Sequence, residues 1–289
     1  MNARTILTLG RVSNLPTVWT NTLAGTALAG AWPLDGRILP LMLAMSLAYV
    51  GGMFLNDACD HEIDRLERPE RPIPAGTITR VTVLVLSGVM LAASAGIVAW
   101  LAYDPDGGGH SAVAASLALI AAIITYDLWH KHNPLSPLLM GLCRLLVYVV
   151  AGHTLVASPA PILLIGALVS LGYLIGLTYT AKQESRGHMA QLWPLVMLAT
   201  PLLFGAIASL FDPRSWLPTL VLAGATLAAL SFLRRNQPGD IPLAVALMIA
   251  GIALVDAVLL SHAAGLSAAL VAGLAFALTV FLQRHIPAT

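Results

Sequence analysis

The stretch from Val81 to Tyr103, VTVLVLSGVMLAASAGIVAWLAY, contains no charged residue. A helix rises about 1.5 Å per residue, so the ~30 Å hydrocarbon core of a bilayer takes about 20 apolar residues. This stretch has that length. It shows no alternation of period two, which argues against a barrel strand. Working outward, similar segments lie near 15–32, 38–57, 111–129, 135–157, 160–181, 191–210, 215–233, 241–261 and 264–283, making ten in all. Composition agrees: 58% of residues are hydrophobic and 10% charged, and mean hydropathy is +0.83. Soluble domains carry about 25% charged residues. A soluble chain this poor in charge could not cover its surface with polar groups. The expectation is an all-α polytopic transmembrane bundle of nine to ten spans in a lipid bilayer, forming one domain over residues 1–289 with no repeat or long linker. The N-terminus lacks the ordered regions of a cleavable signal peptide, so the first segment is expected to stay as a span.

A net charge of +1 without a basic run excludes nucleic acid as a partner. Cys59 and Cys143 stand at no metal-ligand spacing and read as small buried hydrophobes. Lys and Arg fix an expected orientation. Arg4, Arg11, Arg65, Arg68, Arg71, Arg80, Lys131, Lys182, Arg186, Arg234, Arg235 and Arg284 fall on the side of the N-terminus, Arg37 and Arg214 opposite, and Arg144 inside a span. That side is therefore read as cytoplasmic, in the plasma (inner) membrane, with a central cavity opening onto it. An even number of spans follows.

The second span runs into Asn56-Asp57-Ala58-Cys59-Asp60-His61-Glu62-Ile63-Asp64-Arg65. Residues four apart on a helix share one stripe, which aligns Asn56, Asp60 and Asp64 and puts Asp57 on its flank. Carboxylates converging at a membrane boundary repel each other and are costly to desolvate. A divalent cation relieves both costs, and an all-oxygen set favours Mg²⁺ over Zn²⁺. A solvated helix end paired with Arg65 and Arg68 is the plainer reading. The loop that follows contains Arg65, Arg68 and Arg71 among Pro69, Pro72 and Pro74. Its arginines suit phosphate oxygens, and equally suit the positive-inside rule.

The run Asn56-Asp57-x-x-Asp60-x-x-x-Asp64-Arg65 with Arg71-Pro72-Ile73-Pro74-Ala75-Gly76 resembles the first signature of the UbiA prenyltransferase superfamily. Met140-Gly141-Leu142-Cys143-Arg144 is similar to its EboC-like branch. The resemblance implies a bundle of about nine helices that transfers the prenyl group of a polyprenyl diphosphate to an acceptor, here unidentified. It implies Mg²⁺ on Asn56, Asp57, Asp60 and Asp64. Tyr126 to Lys131 resembles the family's Tyr-x-x-x-x-Lys element, which implies a diphosphate contact for Lys131 and a place for Tyr126 in the pocket. Arg11 and Arg71 are further candidates for the diphosphate, and Arg144 for phosphate or acceptor; headgroup anchoring and a buried ion pair are the plainer readings of Arg11 and Arg144. Asp60, Asp64 and Lys131 are the expected catalytic residues.

The pattern departs after the sixth span. Where the family commonly carries Asp-x-x-x-Asp, Tyr179–His188 holds one carboxylate, Glu184, which is expected as a further metal ligand; the alternative is that Lys182 and Arg186 take the place of a metal and neutralise the diphosphate directly. Asn21 reads as a helix–helix contact. Asp256 is assigned no role, with Arg37, Arg214 or water as its partners. The competing class is a non-catalytic prenyl-lipid binder or a transporter on the same bundle.

Overall fold

A computed structural model describes residues 3–131, 133–184, 192–235 and 237–286, with residues 3 and 181–184 described in backbone alone. Among the described residues, helices occupy each of the expected spans. In order the helices are α1 (Ala3–Leu9), α2 (Leu15–Ala29), α3 (Ile38–Cys59), α4 (His61–Glu67), α5 (Arg80–Ala102), α6 (His110–Trp129) and α7 (Ser136–Leu155). They continue as α8 (Ile162–Glu184), α9 (Trp193–Leu198), α10 (Thr200–Phe211), α11 (Trp216–Arg235), α12 (Asp240–Ala250), α13 (Ile252–Ala263) and α14 (Leu266–Gln283). Among the described residues, 9 helical stretches are long and apolar enough to cross a membrane, with α9–α10 and α12–α13 each counted as one. Large apolar side chains such as Trp100, Phe211 and Leu274 point outward and are exposed, as lipid-facing positions must be. The protein is a multi-pass membrane protein.

The remaining expected span is α2, which has only 15 residues. On its own that is about 22 Å, less than a hydrocarbon core. It need not match lipid, because protein surrounds it: α3, α7, α8, α13 and α14 all pack against it. Small residues allow the approach. Gly25 and Ala29 of α2 face Tyr148 and Gly152 of α7, and a Cβ on Gly25 would lie 2.8 Å from the Tyr148 Cα. This is the small-residue spacing by which membrane helices bring their backbones together.

Two helix breaks escape the hydropathy reading. One falls at Ala199, just before Pro201. The other falls at Gly251, where the Tyr173 hydroxyl of α8 donates to the Met248 carbonyl at 2.9 Å. Freed backbone groups inside a bilayer need such a partner. At one end of the bundle Gln283 Nε2 donates to Asn14 Oδ1 at 3.1 Å, so the start of α2 and the end of α14 share a side. At the other end Gly108 N–H donates to the His153 carbonyl at 2.9 Å, and Ala160 N–H to that of Ala29 at 3.1 Å. These contacts fit an even number of traverses. α2 and α7 contribute to both large apolar clusters of the bundle, and a cavity opens beside them.

Candidate active site

The cavity holds about 350 Å³. Its wall is mainly apolar, built from Val18, Met45, Ala48, Leu119, Ile123, Leu174, Leu177 and the residues flanking the α12–α13 break. Polar groups on the wall include Arg11, Asn14, Tyr49, Tyr126, Asp127 and Arg144.

Arg11 joins the wall to the acidic motif. Its guanidinium donates to Asn56 Oδ1 at 3.2 Å and to Asp57 Oδ1 at 3.3 Å. Arg11 is also the one non-glycine residue in the left-handed region among those described, at φ 43°. Such a backbone costs a non-glycine residue about 1–2 kcal/mol. It turns the chain from α1 into the 3₁₀ turn Val12–Asn14 and aims the side chain at the motif. Asn56 Nδ2 then donates to Asp127 Oδ1 at 3.1 Å. The second oxygen of Asp127 is buried without a partner.

The acidic motif is not one unbroken helix. α3 ends at Cys59 and α4 starts at His61, with Asp60 between them at ψ −2°. Helical hydrogen bonds still cross the junction, from Asp60 N–H to Asn56 O and from Asp64 N–H to Asp60 O, both at 2.9 Å. The side chains along it take different partners. Asp57 and Asp64 share Arg71, whose Nη1 lies 3.1 Å from Asp57 Oδ1 and 2.9 Å from Asp64 Oδ2. Asp60 instead faces His130 Nε2 and Lys131 Nζ, each at 3.4 Å. Burial alone would raise the Asp60 carboxyl, but His130 and Lys131 outweigh it and hold it below its ordinary range. Asp60 in turn raises His130. Tyr126 stacks on His130 with ring centroids 4.9 Å apart.

The expected partners Arg65 and Arg68 give way to Arg71, because the Pro-containing loop folds Arg71 back over the motif. The expected ligands Asn56, Asp57, Asp60 and Asp64 are all buried at this end. Even so, no three His, Cys, Asp or Glu side chains gather at metal-binding distance among the described residues. The side chains of Lys182 and Glu184 lie outside the described residues. Sequence reasoning passed over Asp127. Its one signal was a carboxylate in the last turn of an apolar span, a position that is costly unless it is used.

Arg144 belongs to a second, deeper set. It donates to Asn21 Oδ1 at 2.7 Å and Thr17 Oγ1 at 3.1 Å, with its guanidinium carbon 5.5 Å from the Tyr49 ring centre. Asp256 is fully buried and meets neither Arg37 nor Arg214. It accepts from Thr20 Oγ1 at 2.5 Å, from Asn21 Nδ2 at 2.7 Å and from the Tyr148 hydroxyl. Asn21 thus bridges Arg144 to Asp256. The expected helix–helix contact of Asn21 is present, and it links a guanidinium on α7 to a carboxyl group on α13.

The UbiA prenyltransferase family profile matches residues 18–172, more than half of the chain. The chain belongs to the UbiA prenyltransferase family. Similar proteins include the digeranylgeranylglyceryl phosphate synthases of Thermococcus gammatolerans and Metallosphaera sedula. The first is 51% identical over 51 residues, covering 17% of this chain and 18% of that one. The second is 34% identical over 102 residues, covering 33% and 36%. The chain therefore spans about a fifth to a third of the length of these relatives. The fold is similar to a UbiA homologue from Aeropyrum pernix K1, with TM-score 0.63, 16% identity and coverage of 86% of this chain and 95% of that one. It is also similar to a UbiA homologue from Archaeoglobus fulgidus bound to GPP and Mg²⁺, with TM-score 0.53, 16% identity and coverage of 96% and 99%.

Proposed function

We propose that this UbiA-family chain is a Mg²⁺-dependent intramembrane prenyltransferase, taking a polyprenyl diphosphate as donor and an acceptor held in the same cavity. The observation that carries this reading is the join between an apolar cavity and a polar end built from Arg11, Asn56, Asp57, Asp60, Asp64, Arg71, Asp127 and Lys131. A prenyl chain suits the former and a diphosphate the latter. The Archaeoglobus neighbour, bound to GPP and Mg²⁺, supports the same division.

The donor set fits Mg²⁺. It is all oxygen, and the unpartnered, buried Oδ2 of Asp127 is a carboxyl oxygen of the kind a hard cation satisfies. Mg²⁺ takes one or two carboxylates and completes its shell with phosphate and water, so a ready-made cluster of three is not required. Asn56, Asp60 and Asp127, with Asp57 and Asp64 behind them, are the residues to hold it. A bound Mg²⁺ would supply charge neutralisation of the leaving diphosphate. Arg11, Arg71 and Lys131 pair with diphosphate oxygens and orient the donor. As the allylic carbon–oxygen bond breaks, its electron pair goes to the diphosphate, where those cations are already placed. The apolar wall keeps water from the allylic cation until the acceptor attacks it, the acceptor's proton leaving with the released diphosphate.

The orientation proposed from Lys and Arg puts the N-terminus and this polar end in the cytoplasm of a plasma-membrane protein. The test is diphosphate release and prenyl transfer in nanodiscs with and without Mg²⁺, with donors of several lengths. Turnover that requires Mg²⁺ supports the enzyme, and donor binding without turnover on any acceptor supports the prenyl-lipid binder. The helix breaks at Ala199 and Gly251 are one feature of transporters. Both lie in the C-terminal half, so they are not counterparts in two repeated halves.

A further inference from the structure

We infer that Met45, with Leu119 and Val147, forms the floor of the cavity and limits the donor to a short prenyl chain, geranyl to farnesyl. The inference rests on the prenyl-transfer reading of the same cavity and names the length of donor it takes.

The cavity descends from the polar end along α3. Below Asn56, the α3 residues Gly52, Ala48 and Met45 line it in turn. Gly52 has no side chain and Ala48 only a methyl group, so they leave space beside the helix. Tyr49 is tied to other groups of the wall: its hydroxyl accepts from Asn14 Nδ2 at 3.3 Å, and its ring lies under the Arg144 guanidinium. Met45 is the deepest α3 residue on the wall, about 16 Å below Asn56 at 1.5 Å per residue. On α6 the deepest is Leu119, about 12 Å below Asp127. On α7 it is Val147, about 16 Å below the helix start at Ser136.

Met45, Leu119 and Val147 are all buried and belong to one apolar cluster. Leu41, Ala115 and Ala151, one turn further down the same three helices, are buried in that cluster too. The bundle is therefore filled below the floor, and a chain that reaches it has no path onward without moving side chains.

Two measures agree on the length. Three bonds of a polypeptide backbone span ~3.8 Å, so the four-bond repeat of a prenyl chain spans about 5 Å. A depth of about 12–16 Å then takes about three units. The volume, about 350 Å³, holds about twelve groups of the ~30 Å³ that a water-sized molecule occupies in a liquid. A geranyl chain fits within that space. Interiors pack more densely than liquids, which brings a farnesyl chain to the limit. A geranylgeranyl chain exceeds both measures.

The test uses the full chain in nanodiscs with Mg²⁺ and titrates the slow-ionising S-thiolodiphosphates of dimethylallyl, geranyl, farnesyl and geranylgeranyl chains. The matching prenols are titrated alongside. Affinity should rise to farnesyl and fall tenfold or more at geranylgeranyl. Met45→Ala with Leu119→Ala removes about six heavy atoms, roughly one prenyl unit, and should restore geranylgeranyl binding to within twofold of farnesyl. Ala48→Leu fills the same space and should weaken farnesyl tenfold or more against geranyl. All proteins share the same lipid, so partition into the bilayer cancels when variants are compared. If the double variant does not fold, Ala48→Leu decides alone. Equal binding of farnesyl and geranylgeranyl in the unaltered protein overturns the inference, because the tail would then leave between helices. So does a cut-off that neither variant moves. Absence of Mg²⁺-linked binding of every diphosphate overturns the prenyl-transfer reading instead. The prenols then judge the floor by themselves: a length cut-off that Ala48→Leu shortens supports it, and none overturns it.

Discussion

The polar end of the cavity and the network around Asn21 use the same chemistry, buried carboxylates bonded to cationic and neutral donors, but are assembled differently. At the polar end Arg71 reaches Asp64 and Asp57 across 7 and 14 positions. In the deeper network Asn21 meets Asp256 across 235 positions, and Arg144 meets Asn21 across 123. The first set has its carboxylates Asp57, Asp60 and Asp64 and Arg71 in one short segment of chain, which Arg11 and the end of α6 then join. The second ties α2, α7 and α13 together and exists only when the bundle is closed. The comparison suggests that the polar end is organised for turnover and the inner network for shape.

The largest expected effect tests the first half of that contrast. Asp60→Asn, or removal of Mg²⁺ with a chelator, should lower prenyl transfer roughly 100-fold or more, since charge stabilisation at a leaving group is worth several kcal/mol. Thermal unfolding of the variant in detergent should barely move. A large loss of stability would show that Asp60 is structural and erase the distinction.

Stability should respond in the opposite order. Asp256→Ala strands the donors of Thr20, Asn21 and Tyr148 in a dry interior, at a cost of about 2–4 kcal/mol. Asp57→Ala should cost less, because Arg11 keeps Asn56 and Arg71 keeps Asp64. Equal losses in a thermal melt would mean that the two regions do not differ in kind.

Gly25→Val probes the shape that the inner network depends on. The added atoms meet the α7 backbone, and overpacking of this kind costs about 1–3 kcal/mol. The melting temperature should fall, and any fall in activity should follow loss of folded protein rather than weaker Mg²⁺ dependence. The smallest effect is expected from Lys131→Ala. Its side chain is 39% exposed, so the ion pair is screened, and donor affinity should drop about tenfold or less with stability unchanged. A complete loss of turnover would place Lys131 nearer the reacting bond than its exposure suggests.

Much of this protein is set by local sequence. Apolar length alone marks the spans from α3 onward, because the bilayer imposes a thickness that any spanning helix must meet. The acidic motif is legible for a related reason: its members are neighbours in the chain, and charge beside an apolar span is rare enough to carry information. The tertiary structure decided what depends on packing. It ended α3 before Asp60 and gave Asp60 partners, His130 and Lys131, that Asp57 and Asp64 do not share. It replaced Arg65 and Arg68 with Arg71, and it made α2 a short, protein-wrapped helix. It also drew Asp127 onto the cavity wall and gave Asp256 partners from α2 and α7. Hydropathy reports the solvent around a helix, whereas a buried carboxylate's partner is set by which helices pack together. That choice is made through contacts between residues far apart in the chain, such as Gly25 against Tyr148, and no local pattern records them.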